Sequence, residues 1–288
     1  MRRAALGILI VALAAAASTA AAPAAPLAPS ALCAHGGLDL VKSGVLTVGT
    51  DNPAYPPWYG GNPGHGWKVS DPSSGKGYES AVAYAVAKQL GFTPAQVKWT
   101  YVPFNRSFAP GKKPFDFDIN QISYSPARAK VVSFSNSYYD VNQALVVLKG
   151  SKIAKVHSVA GLKPFKLGAQ LGTTSYQFIK STIRPTTTIA VFPQNAGAIQ
   201  ALKNGQIDGL VVDLPTAFYV TAVQVPKGTI LGQFPTASGG EHFGMVFAKG
   251  NPLAACVNGA LARLKANGTL ARIQSKWLAK ATGAPVLK

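Results

Sequence analysis

The sequence has 288 residues and a hydrophobic fraction of 48%, which is enough for one large core or two smaller ones. It is strongly basic, with 28 Lys and Arg against 10 Asp and Glu and a formal net charge of +18 at pH 7. The basic residues form neither a continuous run nor a stripe interleaved with aromatics, so the charge favours a solvated surface and argues against nucleic-acid binding.

The start of the chain has the pattern of a secretory signal peptide. Arg2 and Arg3 precede an apolar run over 4–17, and small residues then follow. A transmembrane anchor is the alternative, but this run is shorter than the ~20 apolar residues needed to cross a bilayer. No other segment has an uninterrupted apolar run of spanning length. We therefore predict a signal peptide over 1–22 and a protein located in the periplasm or outside the cell.

The two cysteines stand near opposite ends of the chain. Cys33 lies in the Ala/Pro-rich segment 23–37, which lacks helical or strand periodicity and is predicted to be a tether. Cys256 lies near the start of a predicted C-terminal helix. In an oxidising compartment a disulfide between them is the favoured interpretation. Lipid attachment at Cys33 is the alternative, although Leu32 stands where lipoprotein signals normally have a small residue.

The first half of the chain predicts several strands and one amphipathic helix. β-Branched residues predict a strand over 45–50, and prolines make the stretch after it a rigid loop. The Gly-, Pro- and Ser-rich segment 60–76 is predicted to be a surface loop. Apolar residues at helical spacing, followed by Gly91, predict a helix over 79–90. Further strands are predicted over 97–102, 115–122 and 142–149.

The second half repeats an alternation of strands and helices. Strands are predicted over 166–171, 188–192 and 207–212, with an apolar run at 244–248. Helices are predicted over 175–182, 196–204, 253–267 and 269–281. Strands that alternate with helices indicate an α/β fold with parallel sheets, in which ligands bind at the carboxyl ends of the strands.

Four groups of residues, taken together, resemble the polar-amino-acid-binding proteins of ABC transporters, also called solute-binding protein family 3. Their order and spacing match the family over residues ~40 to ~280. Each motif alone is weak, but the four in sequence are specific. They are Gly49-Thr50-Asp51 with Tyr55-Pro56-Pro57-Trp58, Gly77-Tyr78-Glu79, Ser123-Tyr124-Ser125-Pro126-Ala127-Arg128 with Phe134-Ser135 and Tyr138-Tyr139, and Gly172-Thr173-Thr174-Ser175 with Val212-Asp213.

The resemblance implies a type II periplasmic-binding-protein fold, with two lobes of parallel-rich sheets joined by a two-strand hinge. The chain would cross between the lobes near 140–147 and 234–244. Lobe 1 would then contain 38–142 and 239–288, and lobe 2 would contain 143–238. The implied protein is a monomer that delivers a small amino acid to a membrane ABC permease. A return to lobe 1 would also bring the two cysteines together.

A free amino acid carries a carboxylate and an ammonium, and burial of both requires an opposite group for each. The resemblance assigns the carboxylate to Arg128, whose planar fork can donate two parallel hydrogen bonds. A solvated surface charge is the alternative for a single Arg after a strand. Three hydroxyl residues follow Gly172 at a strand-to-helix turn, where free amides favour an anion. Helix capping is the alternative, and the two roles are compatible. The three residues are Thr173, Thr174 and Ser175.

Asp213 follows an apolar strand, so its carboxylate is predicted at the carboxyl edge of the sheet, where it would bind the ligand ammonium. Ser123 and Gln121 would add acceptors from lobe 1. Gln121 departs from the small hydroxyl residue common in members that bind cationic ligands.

Three aromatic residues match positions where the family brackets the ligand side chain, although core packing is the alternative for each. They are Tyr55, Trp58 and Phe104. Asp51 matches a position that receives a cationic side chain in lysine- and arginine-type members. Glutamine-type members also have Asp there, so Asp51 does not decide the specificity.

Two other function classes remain open from the sequence. A few proteins of this fold are dehydratases acting on cyclohexadienyl substrates, and Glu241 or His242 could supply the required acid, although a hinge role is favoured. A sensor module that signals to a membrane receptor is the other class. The chain lacks nucleophile-elbow, P-loop and dinucleotide-binding motifs, and its four histidines lack metal-ligand spacing, so we expect no enzyme activity, cofactor or metal.

Overall fold

The computed structural model describes Cys33 and residues 37–234, 240–278 and 284–287. The predicted signal peptide and most of the predicted tether lie outside these residues. In the part of the chain that is described, no helix combines the length and the apolar character needed to traverse a bilayer.

A five-stranded mixed sheet forms the centre of the first lobe. Its strands are β1 (Leu46–Thr50), β2 (Val97–Tyr101), β3 (Phe117–Asp118), β4 (Val132–Phe134) and β12 (Val246–Ala248). Their order is β2-β1-β3-β12-β4. β1 runs parallel to β2 and β3, whereas β12 runs antiparallel to β3 and β4. Because β12 comes late in the sequence, the first lobe is completed only when the chain returns to it.

Three helices cover this sheet and build its core. They are α1 (Tyr78–Gln89), α7 (Leu253–Ala266) and α8 (Thr269–Leu278). In α1 the residues Val82, Ala83 and Val86 are fully buried, at the three- and four-residue spacing that makes one helical face apolar. Gly77 precedes α1 with φ +92°, and a Cβ there would lie 2.4 Å from Tyr59 Cα. Only glycine therefore permits the chain to enter α1 so close to the preceding loop.

A second five-stranded sheet forms the centre of the other lobe. Its strands are β6 (Gln143–Leu148), β7 (Leu167–Gln170), β8 (Ala190–Phe192), β9 (Gly209–Asp213) and β10 (Gly228–Gln233). Their order is β10-β6-β9-β7-β8. β7 is parallel to β8 and β9, whereas β6 is antiparallel to β9 and β10. The predicted parallel pairing holds for each βα unit, and the antiparallel pairings involve the strands that enter or leave a lobe.

The continuous apolar run of β6 follows from packing on both faces of its sheet. Ala144 and Val146 point into one buried cluster, while Leu145 and Val147 point into another on the opposite face. A strand covered on both faces has no reason to alternate apolar with polar residues.

The helices of the second lobe are short and follow the strands directly. They are α4 (Thr174–Phe178), α5 (Asn195–Lys203) and α6 (Leu214–Tyr219). α4 continues as a π-helical turn over Ile179–Ile183, and α6 continues in the same way over Val220–Gln224. The prediction of a helix over 175–182 therefore spans two helix types.

Two antiparallel strands connect the lobes. They are β5 (Tyr139–Val141), on the way out, and β11 (Glu241–Phe243), on the return. Their register pairs Glu241 with Val141 and Phe243 with Tyr139. The segments near 140–147 and 234–244 were predicted as the crossings, and this pair lies within one residue of them. The residue bounds of the two lobes stay a prediction.

The two ends of the described chain attach to different lobes. Cys33 forms the predicted disulfide with Cys256 in α7, so it is fixed to the first lobe. Residues 284–287 instead lie against β10, although the predicted range of lobe 1 included them. Gln233 donates its amide to the Pro285 carbonyl over 2.7 Å and accepts the Leu287 amide over 2.9 Å. The side chain of Leu287 completes a buried cluster of the second lobe.

The strand predicted over 115–122 is much shorter in the structure. Only Phe117–Asp118 pairs with β1, and the chain then turns towards the space between the lobes. Gln121 has φ +48°, in the left-handed region that a strand residue does not adopt. Two short helices border this turn, α2 (Phe104–Ser107) and α3 (Pro126–Ala129). The departure from strand geometry brings the side chains after β3 to the cleft.

Candidate functional site

Residues of both lobes line a cleft with a cavity volume of about 130 Å³. All eleven residues predicted from the sequence as ligand contacts line this one cleft. They are Asp51, Tyr55, Trp58, Phe104, Gln121, Ser123, Arg128, Thr173, Thr174, Ser175 and Asp213. Their common location is observed, whereas their contacts with a ligand remain a prediction.

Arg128 lies in α3 and reaches both lobes. Its Nη1 donates to the Ser123 carbonyl over 2.6 Å, and its Nη2 donates across the cleft to the Gly172 carbonyl over 2.7 Å. The guanidinium packs on Phe108, with its central carbon 4.1 Å from the ring centroid. Burial lowers the pKa of Arg128 to about 10, opposed by the nearby Glu241 carboxylate. Arg128 therefore stays cationic at neutral pH in a fixed orientation.

The hydroxyls of the turn after Gly172 are already engaged within the protein. Thr173 Oγ1 accepts the Tyr176 amide over 3.1 Å and donates to the Gln170 carbonyl over 2.7 Å, so Thr173 is the N-cap of α4. Ser175 Oγ donates to Gln143 Oε1 over 2.7 Å. The capping interpretation is thus correct for Thr173. The Thr174 and Ser175 amides, which have no intrahelical acceptor, remain the groups able to bind an anion.

Asp213 ends β9 and caps α6 at the opposite wall of the cleft. Its Oδ1 accepts the Thr216 amide over 3.1 Å. Burial raises the pKa of Asp213 to about 6, and the nearby Glu241 carboxylate also raises it, whereas the hydrogen bonds from Thr216 lower it. A carboxylate with a pKa near 6 is mostly ionised at neutral pH and gains stability from any cation placed beside it.

The aromatic residues combine core packing with contacts across the cleft. Trp58 is buried and packs edge-on against Tyr139 and Phe243. Its Nε1 also donates to Thr216 Oγ1 in the second lobe over 3.1 Å. Trp58 therefore both packs in the core and lines the cleft.

The other two predicted aromatic residues have different neighbours: Tyr55 lies near a ring of the second lobe, and Phe104 packs beside Arg128. The Tyr55 ring lies 6.2 Å from the Tyr219 ring of the second lobe, measured between centroids. Phe104 lies 5.7 Å from the guanidinium carbon of Arg128 and 5.3 Å from the Phe108 ring. Phe104 therefore supports the arginine in addition to lining the cleft.

Gln121 is held by a buried carboxylate beneath the cleft. Its backbone amide donates to Glu79 Oε1 over 2.6 Å, and its side-chain amide donates to Glu79 Oε2. Tyr138 also donates its hydroxyl to Glu79. Burial raises the pKa of Glu79 to about 7, although these hydrogen bonds lower it. Because the backbone N–H and one side-chain N–H of Gln121 bind Glu79, its two carbonyl oxygens and the second side-chain N–H remain available to a ligand.

Several polar residues that the sequence did not assign to the site contribute to it. Gln143 and Thr216 line the cleft, and Glu241 accepts hydrogen bonds from three residues that do. Gln143 could have been found as a polar residue opening an otherwise apolar strand. Glu241 was considered as an acid or a hinge residue, and its hydrogen bonds depend on β11, which lies far from its partners in sequence.

The structure has two α/β lobes with a cleft between them, and the chain passes from one lobe to the other twice. This architecture agrees with the result of the family comparison. The sequence profile of the bacterial extracellular solute-binding proteins, family 3, matches residues 46–280. The chain belongs to this family. The predicted resemblance is therefore confirmed, and the type II periplasmic-binding-protein fold is confirmed with it.

Individual members of solute-binding family 3 are similar over most of the chain. The ABC transporter glutamine-binding protein GlnH of Bacillus subtilis is 30% identical over 73% of this chain and 76% of its own. The L-cystine-binding protein TcyJ of Escherichia coli K12 is 27% identical over 100% of this chain and 97% of its own. The solved structure of an ancestral arginine-binding protein bound to glutamine has a TM-score of 0.67 at 31% identity, covering 81% of this chain and 97% of that chain.

Proposed function

We propose that this protein is the extracytoplasmic solute-binding component of an ABC transporter and binds a polar L-amino acid in the cleft. The observation that carries the proposal is the location of two opposite charges in the same cleft. The buried guanidinium of Arg128 lies on one wall, and the carboxylate of Asp213 lies on the other. An α-amino acid is a small molecule that brings the two complementary charges. Binding of a zwitterion there satisfies both walls at once.

The ligand carboxylate binds Arg128 and the amides that open α4. Arg128 keeps donors beyond the two that bind backbone carbonyls, since a guanidinium has five N–H groups. The N-terminus of α4 adds the positive end of its dipole. A carboxylate held by both lobes favours the closed arrangement, because an open cleft would offer only one of these contacts.

The ligand ammonium binds Asp213, with the carbonyl oxygens of Gln121 as additional acceptors. Asp51 lies at the same cleft and is available to a polar or cationic side chain. The relatives named above are glutamine-, cystine- and arginine-binding proteins, and these three amino acids all carry a polar group beyond the Cβ atom. The polar character of the walls is compatible with each of these ligands.

The partners follow from the transport role. The protein acts as an exported monomer that presents the closed, loaded form to a membrane permease, without a nucleic-acid partner, cofactor or metal. A sensor role would use the same cleft, and a permease or a receptor kinase as the binding partner distinguishes the two. The dehydratase alternative requires a proton donor aimed at the ligand. It gains no support from Glu241, whose carboxylate accepts hydrogen bonds from Ser123, Thr174 and Gln143.

The test is calorimetry with the twenty amino acids, followed by Arg128→Ala with the ligand that binds most tightly. We expect a loss of roughly 2 to 5 kcal/mol, because the ligand carboxylate stays buried without its partner. The matched control is Arg106→Ala, an exposed arginine of α2, which should bind like the wild type. Unchanged affinity in Arg128→Ala, with a native thermal transition, would refute the assignment. Turnover of prephenate or arogenate would show that the protein is an enzyme and would overturn the proposed transport function.

A further inference from the structure

The return strand β11 places a carboxylate next to residues that line the cleft. Glu241 and Phe243 are two residues apart in a strand and therefore share one face. Phe243 lines the cleft, whereas the ring of His242 between them stacks on Tyr124, 5.4 Å away and nearly parallel. The Tyr124 amide donates to the His242 carbonyl over 2.9 Å, which fixes β11 beside the segment leading to α3.

Glu241 accepts hydrogen bonds from residues of both lobes. Ser123 Oγ of the first lobe and Thr174 Oγ1 of the second both donate to its Oε1. Gln143 Nε2 donates to its Oε2 over 2.8 Å. The oxygens of Ser123 and Thr174 are only 3.2 Å apart, so the two hydroxyls meet on one carboxylate oxygen.

These bonds determine what the hydroxyls can offer to a ligand. A hydroxyl has one proton and two lone pairs, so a hydroxyl that donates to Glu241 can only accept from a ligand. Ser123 and Thr174 both line the cleft and are both in this state. The side chain of Thr174 is therefore an acceptor for N–H groups, whereas its backbone amide stays available to the ligand carboxylate.

The charged residues around the cleft also favour a ligand that is not acidic. Among the described residues that line it, Arg128 is the one cationic side chain, whereas Asp51 and Asp213 are acidic. Glu241, directly behind Ser123 and Thr174, adds a third carboxylate. A neutral amino acid leaves an excess of negative charge in the closed cleft, a cationic one reduces it, and an acidic one increases it.

We propose that Glu241 is a specificity-determining residue, which biases the cleft towards neutral and cationic amino acids and against acidic ones. It acts through its charge and through the hydroxyls of Ser123 and Thr174, which it holds as acceptors. This inference rests on the proposed amino-acid-binding function.

Glu241→Gln tests the proposal because it removes the charge while keeping the size of the side chain. The measured quantity is the dissociation constant of L-glutamate divided by that of the amino acid bound most tightly by the wild type. We expect Glu241→Gln to lower this ratio at least about tenfold, since like charges brought together in an interface strongly oppose binding. A purely structural effect would weaken both ligands equally and leave the ratio unchanged.

Asp140→Asn is the matched control. Asp140 lies opposite His242 in the register of the hinge strands, is exposed, and accepts from Ser137 Oγ over 2.7 Å. This variant removes the same charge from the same hinge without a contact to the cleft, and its ratio should change less than about twofold. An unchanged ratio in Glu241→Gln, or an equal change in Asp140→Asn, would overturn the inference alone. A wild type that binds none of the twenty amino acids would overturn the proposed function and this inference with it.

Discussion

Arg128 Nη2 and the Gly172 carbonyl oxygen form a 2.7 Å hydrogen bond that joins the first lobe to the turn opening α4 in the second. The residue predicted to bind the ligand carboxylate is thus also a direct link between the lobes. The same turn carries the amides proposed to bind that carboxylate. In the proposed binding mode, closure of the cleft therefore also forms the site for the ligand carboxylate.

The turn itself gives the first prediction. Gly172 has φ +80°, and a Cβ on it would lie 2.1 Å from Asn105 Oδ1 of the opposite lobe. Gly172→Ala should therefore weaken ligand binding a few-fold, about 1 kcal/mol or less, because the added methyl group must displace the exposed Asn105 side chain from its place between the two lobes. Calorimetry with the verified ligand measures the effect.

Gly150→Ala is the control for Gly172→Ala. Gly150 has a similar φ of +77°, but a Cβ there meets no atom within 4 Å. Both variants should lose about 1 kcal/mol of unfolding free energy from the left-handed backbone. Equal ligand affinities in the two variants would show that the approach of Gly172 to Asn105 is unimportant for binding.

The hydrogen bond from Trp58 Nε1 to Thr216 Oγ1 should stabilise the closed form by about 1 kcal/mol. Trp58→Phe keeps an aromatic ring in the core but removes the donor, and Thr216→Val removes the acceptor. A double-mutant cycle on ligand affinity isolates the interaction, and we expect a coupling of 0.5 kcal/mol or more, on the order of a single neutral hydrogen bond. Additive effects of the two substitutions would argue that this contact is absent from the bound state.

Ligand affinity should fall in mild acid. The pKa of Asp213 is raised to about 6, mainly by burial, so a growing fraction of this carboxyl is protonated as the pH drops below 6. A protonated Asp213 cannot pair with the ammonium, and we expect an affinity loss of about tenfold between pH 7.5 and pH 5. The sign follows because binding requires the form that acid removes.

Asp213→Asn is the control for this pH effect. Asparagine can still accept the Thr216 amide and cap α6, so the fold is retained. The variant should bind more weakly at pH 7.5, and its affinity should change less between the two pH values. A pH dependence as steep as that of the wild type would place the titrating group elsewhere.

The C-terminal segment should contribute to the stability of the second lobe. Leu287 is 3% exposed within a buried cluster, whereas its neighbour Val286 is 54% exposed. Leu287→Ala should lower the unfolding free energy by about 2 to 4 kcal/mol, and Val286→Ala should change it by less than about 0.5 kcal/mol. Chemical denaturation of the two variants measures the difference. Equal stabilities would mean that the segment does not dock in solution.

Much of the fold could be predicted because its signals are local. The apolar spacing of α1 and α7 gives both helices to within one residue at each end. α6 and β10 were not predicted. α6 has a proline in its first turn, and β10 is an edge strand with glycine at two of its six positions. Both elements depend on packing against β6, whose position the local sequence does not specify.

Some features of the candidate site could likewise be predicted from the sequence, and others could not. Positions at strand ends, such as Asp213, follow from the strand pattern, and Arg128 follows from the family resemblance. The hydrogen-bonding state of Thr174 could not be predicted, because its partner Glu241 is 67 residues away and reaches it through the return strand. The same holds for Ser175, whose partner Gln143 is 32 residues away in the outgoing crossing. Interactions assembled by the hinge have no local sequence signal.

The two ends of the described chain are attached to opposite lobes, so the distance between them changes when the lobes move apart or together. Val41, at one end, is exposed and donates its amide to Asp116 Oδ1 of the first lobe, and Val286, at the other, is exposed beside β10. A donor and an acceptor dye at these positions would follow the separation of the lobes by energy transfer. Neither position lines the cleft, so the opening and closing of the protein could be timed without altering the residues that hold the ligand.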